Sequence, residues 1–271
     1  MKVIKDKTSM SESKIQLIKQ KEAFKNISSP FLSKLHHQFQ SHNKLYFITD
    51  LVYGSKLSDY ILRKFQLKEK EIKFYTTELV MAIKYLHDND IVYKGLKPNK
   101  ILLDTQGHIR LIEPGMSIIN EIQSLKGKMS GISNYIAPEI LTGNSYSKIN
   151  DWWSLGAIIT EMVSGYPPFL KCTKGREGNY FTIVTNNQIK SSNSLKDFLE
   201  KILCVDPLER LGANGIEEIM NHEFLRTVDW NCVQLKQLDP PYIPKNRNIS
   251  GINSSVIEEE LVENIENFQD F

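Results

Sequence analysis

Apolar positions along this chain alternate between two periods, and each stretch predicts an element. From Ser13, the pair Ser13 and Gln16 makes a capping-box pattern, and Ile15, Ile18, Phe24 and Ile27 fall on one face. This predicts a helix that ends at Ser28-Ser29-Pro30. The run Leu45–Val52 reads as a buried strand stopped by Gly54. Ile72, Tyr75, Leu79, Ile83 and Leu86 recur at helical spacing and predict an amphipathic helix. Segments 101–104 and 108–112 predict a hairpin turned by Thr105-Gln106-Gly107, and further helices are expected near 151–164 and 194–204. Pro240, Pro241, Pro244 and the polar run Asn246–Ser255 predict an extended tail over 230–271. The order is strand and helix first, then mostly helix. It predicts an α+β fold with a small mixed lobe followed by a larger helical one.

Composition narrows the function classes. The chain has 271 residues, enough for one large domain or two lobes, and is 41% hydrophobic and 24% charged. A net charge of +2 gives no bulk electrostatic case for nucleic acid or a membrane. Charge is uneven: the first 25 residues carry seven Lys, and the last 26 carry five Glu and one Asp against one Arg. Such runs are solvated surface or partner contacts. The three cysteines, Cys172, Cys204 and Cys232, are widely spaced and form no zinc or disulfide pattern. No apolar stretch reaches membrane-spanning length, and the Lys-rich start is followed by no apolar run. A reducing, cytoplasmic setting and a monomeric domain are expected.

The chemistry centres on Tyr93-Lys-Gly-Leu-Lys-Pro-Asn-Lys100. This run resembles the catalytic loop of a eukaryotic protein kinase, H-R-D-L-x-x-x-N, in the variant that opens with Tyr. Further landmarks follow in order: Ala137-Pro138-Glu139, Asp151-Trp-Trp-Ser-Leu-Gly156, Gly165-Tyr-Pro-Pro-Phe169, Asp206-Pro-Leu-Glu-Arg-Leu-Gly212 and His222-Glu-Phe-Leu225. Pro240-Pro-Tyr-Ile-Pro-Lys245 resembles the tail motif of the AGC group. The terminal Phe268-Gln-Asp-Phe271 is similar to the end of cyclic-AMP-dependent protein kinase catalytic subunits. The resemblance covers nearly the whole chain and implies a bilobal kinase-like fold. It implies a truncated small lobe over 1–52, apparently without its first two strands, a helical lobe over 53–229 and an AGC-type tail over 230–271. Phe268 and Phe271 would dock the tail on the small lobe, and Tyr180 would match a tyrosine used by regulatory subunits.

The same resemblance exposes a degenerate active site. Gly95 replaces the Asp that receives the substrate proton, and Lys100 replaces a magnesium-binding Asn. The magnesium motif D-F-G becomes Glu113-Pro114-Gly115, which moves the carboxylate by one methylene and removes the aromatic ring. That ring would have joined Tyr93, Phe24, Leu35 and Asp151 in one column. Lys97 matches the lysine that contacts the transferred phosphate. Lys94 replaces the Arg that pairs with a phosphorylated activation loop, where Lys128 stands at the phosphorylated position; Ser130 and Ser133 remain as modifiable serines or as plain loop residues. Met1-Lys-Val-Ile-Lys5 matches the third strand of the small lobe, making Lys2 either the phosphate-holding lysine or a surface lysine, with Gln20 at its partner's position and Glu22 pointing elsewhere.

Thr49, Asp50, Val52 and Leu102 would form the adenine side of the pocket, so ATP and magnesium are the cofactors the resemblance implies. Lys56 and Asn99 stand where acidic residues hold substrate arginines, and only Glu161 is kept. Glu139 with Arg210, and Asp151, match the scaffold under the activation segment. Three readings stay open. The chain is a pseudokinase acting through a protein partner or regulatory subunit, a weakly active serine/threonine kinase, or a non-functional fragment.

Overall fold

The computed structural model describes residues 2–5, 27–41, 44–112, 134–168 and 191–244. In the small lobe β1 (Lys2–Lys5), β2 (Leu35–Ser41) and β3 (Lys44–Thr49) form an antiparallel sheet in the order β1-β3-β2. The strand expected over Leu45–Val52 stops at Thr49, and Leu51 is 65% exposed. Pairing ends at Asp50 on contacts from across the sheet: its N–H donates to Lys34 O at 3.0 Å, and its carboxylate accepts from the Lys34 backbone N–H at 3.0 Å and lies 2.6 Å from His36 Nε2. The apolar pair Leu51-Val52 then continues the pattern without a partner strand.

The second sheet is built as β4-β5-β6, from β4 (Gly54–Lys56), β5 (Ile101–Asp104) and β6 (Ile109–Leu111). Here the hairpin forms where the sequence predicts it. Asp104 Oδ1 accepts from the N–H groups of Gln106 and His108, both at 3.0 Å, which closes the turn. Gly107 has φ +94°, and a Cβ there would lie 2.4 Å from the Tyr242 carbonyl oxygen, so only glycine fits. Segment 27–33 is stitched to this hairpin: Ser33 N–H donates to Leu111 O at 2.9 Å, and Leu111 N–H to Phe31 O at 2.8 Å. Phe31 and Leu32 are buried in the core.

The helical lobe contains α1 (Leu57–Lys64), α2 (Glu69–Asp88), α3 (Pro138–Leu141), α4 (Lys148–Ser164), α5 (Asn193–Ile202), α6 (Ile216–Met220) and α7 (Trp230–Gln234). α2 packs against α4 and α7, and α4 against α5. The amphipathic helix expected around Ile72–Leu86 is buried on most of its circumference. Its buried glutamates go inside with partners. The Glu71 carboxylate accepts from Tyr60 Oη and, at 2.8 Å, from Lys68 N–H. Glu78 meets His108 Nδ1 and accepts from Ile109 N–H at 2.9 Å. Buried polar groups survive only when hydrogen-bonded, and these pairs let a helix with a mixed pattern stand in a core. α4 starts one turn earlier than expected because Ser147 and Asn150 cap it: Ser147 N–H donates to Asn150 Oδ1 at 2.6 Å.

The stretch read as extended from residue 230 begins instead with α7. Asp229 Oδ1 accepts from Asn231 N–H at 3.0 Å and Cys232 N–H at 3.1 Å, a cap that nucleates the turn. Residues 235–244 then run without regular structure across the helical lobe. Tyr242 stacks on Tyr60 with ring centroids 4.4 Å apart, and the Arg63 guanidinium lies 4.6 Å from the centre of the Tyr242 ring.

Candidate active site

The loop Tyr93–Lys100 is held from beneath by one side chain. Asp151, in the first turn of α4, is 1% exposed. Its Oδ2 accepts from Tyr93 N–H at 2.8 Å and lies 2.9 Å from His87 Nε2, and its Oδ1 accepts from Lys94 N–H at 3.1 Å. The buried Tyr93 ring adds a second tie, from its hydroxyl to the Ile112 carbonyl. Between these anchors the backbone turns sharply, with φ +56° at Lys94 and +95° at Gly95. Gly95 accepts that conformation without a side-chain penalty. Burial pulls the Lys94 ammonium below the ordinary lysine range, and the Asp151 carboxylate opposes the shift.

Beyond Gly95 the chain buries Leu96 and forms a 3-10 turn at Pro98–Lys100. Lys100 N–H donates to Lys97 O at 2.9 Å, and Lys100 O accepts from Ile112 N–H at 3.1 Å. Lys97 and Lys100 are partly buried and Asn99 is exposed. Leu102 lies in β5, in register with Lys56 of β4 on one side and Arg110 of β6 on the other.

The floor under this loop is an ion-pair network. Arg210 is 1% exposed and meets Glu139 through two parallel bonds, Nη1 to Oε1 at 2.7 Å and Nη2 to Oε2 at 2.9 Å. Arg210 also donates from Nε to Cys204 O at 2.9 Å, and its guanidinium carbon lies 5.0 Å from the centre of the Trp153 ring. Asn150 completes the set by donating to Glu139 Oε1. Bidentate geometry and satisfied remaining donors are what a buried pair needs to offset its desolvation. The pair Glu139–Arg210 and the loop-tying Asp151, both expected from the sequence, are linked through Asn150, which precedes Asp151 in α4 and donates to Glu139 Oε1.

Around the cleft, Thr49, Asp50 and Val52 lie partly exposed at the end of β3 and just after it. The Asp50 carboxyl sits below the ordinary range: partial burial raises it, but the Lys34 N–H and His36 outweigh burial. Glu161 of α4 accepts a short hydrogen bond from Tyr135 Oη. Burial pushes the Glu161 carboxyl up, with the Tyr135 bond opposing, and burial pushes the Tyr135 hydroxyl up as well. Lys56 is exposed. Lys2 lies in β1, in register with Phe47. Gln20, Phe24, Glu113, Pro114, Lys128, Ser130, Ser133, Tyr180, Phe268 and Phe271 fall outside the described residues.

The profile of the protein kinase domain family matches residues 1–225. The chain belongs to the protein kinase family. A probable serine/threonine-protein kinase of Dictyostelium discoideum is 34% identical over 263 residues, covering 94% of this chain and 56% of the relative. Protein kinase 3 of the same organism is 34% identical over 270 residues, covering 94% of this chain and 30% of the relative. Serine/threonine-protein kinase Sgk1 of Homo sapiens is 38% identical over 234 residues, covering 84% of this chain and 53% of the relative. The chain therefore spans about half the length of these relatives or less. It is AGC-like, with a small antiparallel sheet lobe and a helical lobe.

Kinases of this family use ATP and magnesium. Of the two metal positions in the family motif, Glu113 lies outside the described residues and position 100 does not suit the metal. A lysine ammonium has no lone pair to give, so Lys100 offers no ligand where the family motif has Asn. Among the described residues no group of three or more His, Cys, Asp or Glu could hold a metal ion. Among them, too, no helix is long and apolar enough to cross a membrane.

Two features of the site escaped sequence reasoning. The Tyr135–Glu161 bond joins residues 26 apart in different elements, so no local pattern reveals it. The His36–Asp50 contact at the end of β3 spans 14 residues, and only the polar Asp ending an apolar run hinted at it.

Proposed function

We propose that this chain is a pseudokinase, an AGC-like kinase fold that acts by binding a protein partner and does not transfer phosphate. The observation that carries the reading is Gly95. Its backbone is placed by the Asp151 bonds to the two preceding residues, and it has no side chain to receive a proton. Loss of the general base alone lowers a rate by about 10²–10⁴. Lys100 adds the loss of a metal ligand. The retained Lys97 leaves one phosphate-contacting group, too little for phosphoryl transfer, which depends on positioning and charge neutralisation together. Lys56 and Asn99, both exposed, disfavour the basic peptides that acidic residues at those positions would hold. The partner is therefore expected to dock elsewhere on the fold, with Tyr180 and the Phe268–Phe271 terminus as the sequence's own candidates.

The test is phosphate incorporation from γ-labelled ATP with magnesium into acidic and basic peptide panels. No incorporation above that of a Lys97→Ala variant is expected. Transfer that Lys97→Ala or Glu113→Gln abolishes would contradict the reading and support a weakly active kinase.

A further inference from the structure

We infer that the acidic segment 257–266 of this chain docks on an apolar face with a basic rim, built by α1 and the residues that follow α4. The inference does not depend on whether the chain transfers phosphate. Its ground is a patch that the fold puts on the surface. Leu62 is 82% exposed, Phe65 46% and Tyr166 53%. The rings of Phe65 and Tyr166 meet edge to face, with centroids 4.9 Å apart. Phe65 caps α1 at φ +67°, a conformation that bulky residues rarely adopt. The surrounding backbone enforces it. Phe65 N–H donates to Ile61 O at 2.7 Å, and Leu67 N–H to Met162 O at 2.9 Å. A Cβ at Gly165, φ +80°, would lie 2.1 Å from Phe65 O, so the end of α4 is pressed against this residue. A fold that bears backbone strain to hold an aromatic ring outward, beside a second ring and an exposed leucine, presents a contact surface.

Charge selects the occupant. Residues 62–70 carry Arg63, Lys64, Lys68 and Lys70 against one acid, Glu69. The Glu69 carboxylate is engaged by Ser192, whose N–H donates at 2.8 Å and whose Oγ donates at 2.6 Å. Lys64 Nζ lies 3.7 Å from the buried Glu71, and Lys68 and Lys70 are exposed. Asp59 is the one acid of α1. The complement lies in the same chain. Glu258, Glu259, Glu260, Glu263 and Glu266 stand in a stretch with no Lys or Arg, and Ile257, Leu261 and Ile265 recur every four residues. As a helix formed on docking, that stripe is about 12 Å long, the length of the eight-residue α1. The described chain brings the segment close. Tyr242 stacks on Tyr60 of α1, and Pro244 follows two residues later. Leu62 lies round the helix from Tyr60, and α1 is about 10–12 Å across with its side chains. Residues 245–256 span about 40 Å when extended, so reach sets no limit. The tether holds the segment near the patch at an effective concentration on the order of millimolar. Phe268 and Phe271 lie beyond the docked stretch.

The experiment is zero-length carbodiimide cross-linking of the full chain, mapped by mass spectrometry. Isotope-light and isotope-heavy protein are mixed in equal parts at low micromolar concentration. Amide links within one chain, from Lys64, Lys68 or Lys70 to the glutamates of 257–266, are expected. Leu62→Asp and Leu261→Asp, each with a melting temperature like that of the parent, are expected to lower the yield of these links about fivefold or more. High salt is expected to lower it in the parent. Links from those glutamates to other lysines alone overturn the inference, as does a yield that both variants leave unchanged. Links found only between light and heavy chains give the patch to a second copy and overturn it. Links from Glu177 to the same three lysines, in place of the tail's glutamates, put the segment after Tyr166 on the patch and overturn it as well. So does the absence of any link from 257–266. Phosphate incorporation is read in a separate assay, so none of these outcomes bears on the proposed loss of phosphoryl transfer.

Discussion

The loop at Tyr93–Lys100 and the floor beneath it have diverged in opposite ways. In the floor, Glu139, Arg210 and Asn150 form a closed set of bonds, and Asp151 accepts from two loop amides. In the loop, the residues that would face a substrate are a glycine and lysines. The difference teaches that the shape of this loop and its chemistry are held by different groups. Its shape comes from the backbone N–H groups of Tyr93 and Lys94 bound to a buried carboxylate, with no part played by a side chain at position 95. Under the proposed reading, its chemistry would need side chains that positions 95 and 100 do not carry. A loop of this kind can lose its reaction and keep its fold, and with it the surfaces that a partner reads.

The sharpest way to break the contrast is to open the floor. Arg210→Ala leaves Glu139 buried without its partner and is expected to cost about 3–5 kcal/mol in urea unfolding. A cost under about 1 kcal/mol would mean that the pair does not hold the lobe. Next is Asp151→Ala, which strips two backbone amides of a charged acceptor. About 3 kcal/mol is expected from the loss of these bonds and the stranding of their donors, again read from denaturant midpoints. Tyr242→Ala removes the ring stacked on Tyr60 and under Arg63 and should cost about 1.5 kcal/mol. A double-mutant cycle with Tyr60→Ala isolates the stacking from the rest of the tail.

Inside the loop, effects shrink. Gly95→Asp restores a carboxylate but puts a Cβ on a backbone at φ +95°, so about 1 kcal/mol of destabilisation is expected. With Lys100 unchanged, the variant should still transfer no phosphate. The smallest effect belongs to Asp50, just after β3. Asp50 has a lowered folded-state pKa, so the unfolded chain binds its proton first as pH falls. Its contribution is full above the unfolded value of about 4 and is lost as pH drops through the folded value. The side chain is 36% exposed, which limits the contribution to under about 1 kcal/mol. Stability measured against pH for the parent and Asp50→Asn should diverge above about pH 4 and converge below it.

What the sequence made legible follows the range of the forces. The hairpin at 101–111 was readable because its turn is local, with Asp104 and Gly107 as its signals. The floor was readable as an ion pair of Glu139 and Arg210 and an Asp151 that ties the loop, and the structure added Asn150, which links the two. The end of β3 was misread because Leu51 and Val52 continue the apolar pattern, while the contacts that end the pairing at Asp50 come from Lys34 and His36 across the sheet. α2 was read as amphipathic from the spacing of Ile72 to Leu86, and the partners that bury its glutamates, Tyr60 and His108, arrive from other elements. The short helix α7 was hidden among the prolines that follow it, although Asp229 was its cap in plain view.

The central claim, that the loop keeps its form without its chemistry, is tested most directly by amide hydrogen exchange at Tyr93 and Lys94. Both amides are expected to exchange slowly, with the protection of buried core amides, and to lose that protection in Asp151→Ala while α2 stays protected. Fast exchange at both positions in the parent chain would contradict the account, because Asp151 would then not be holding the loop in shape.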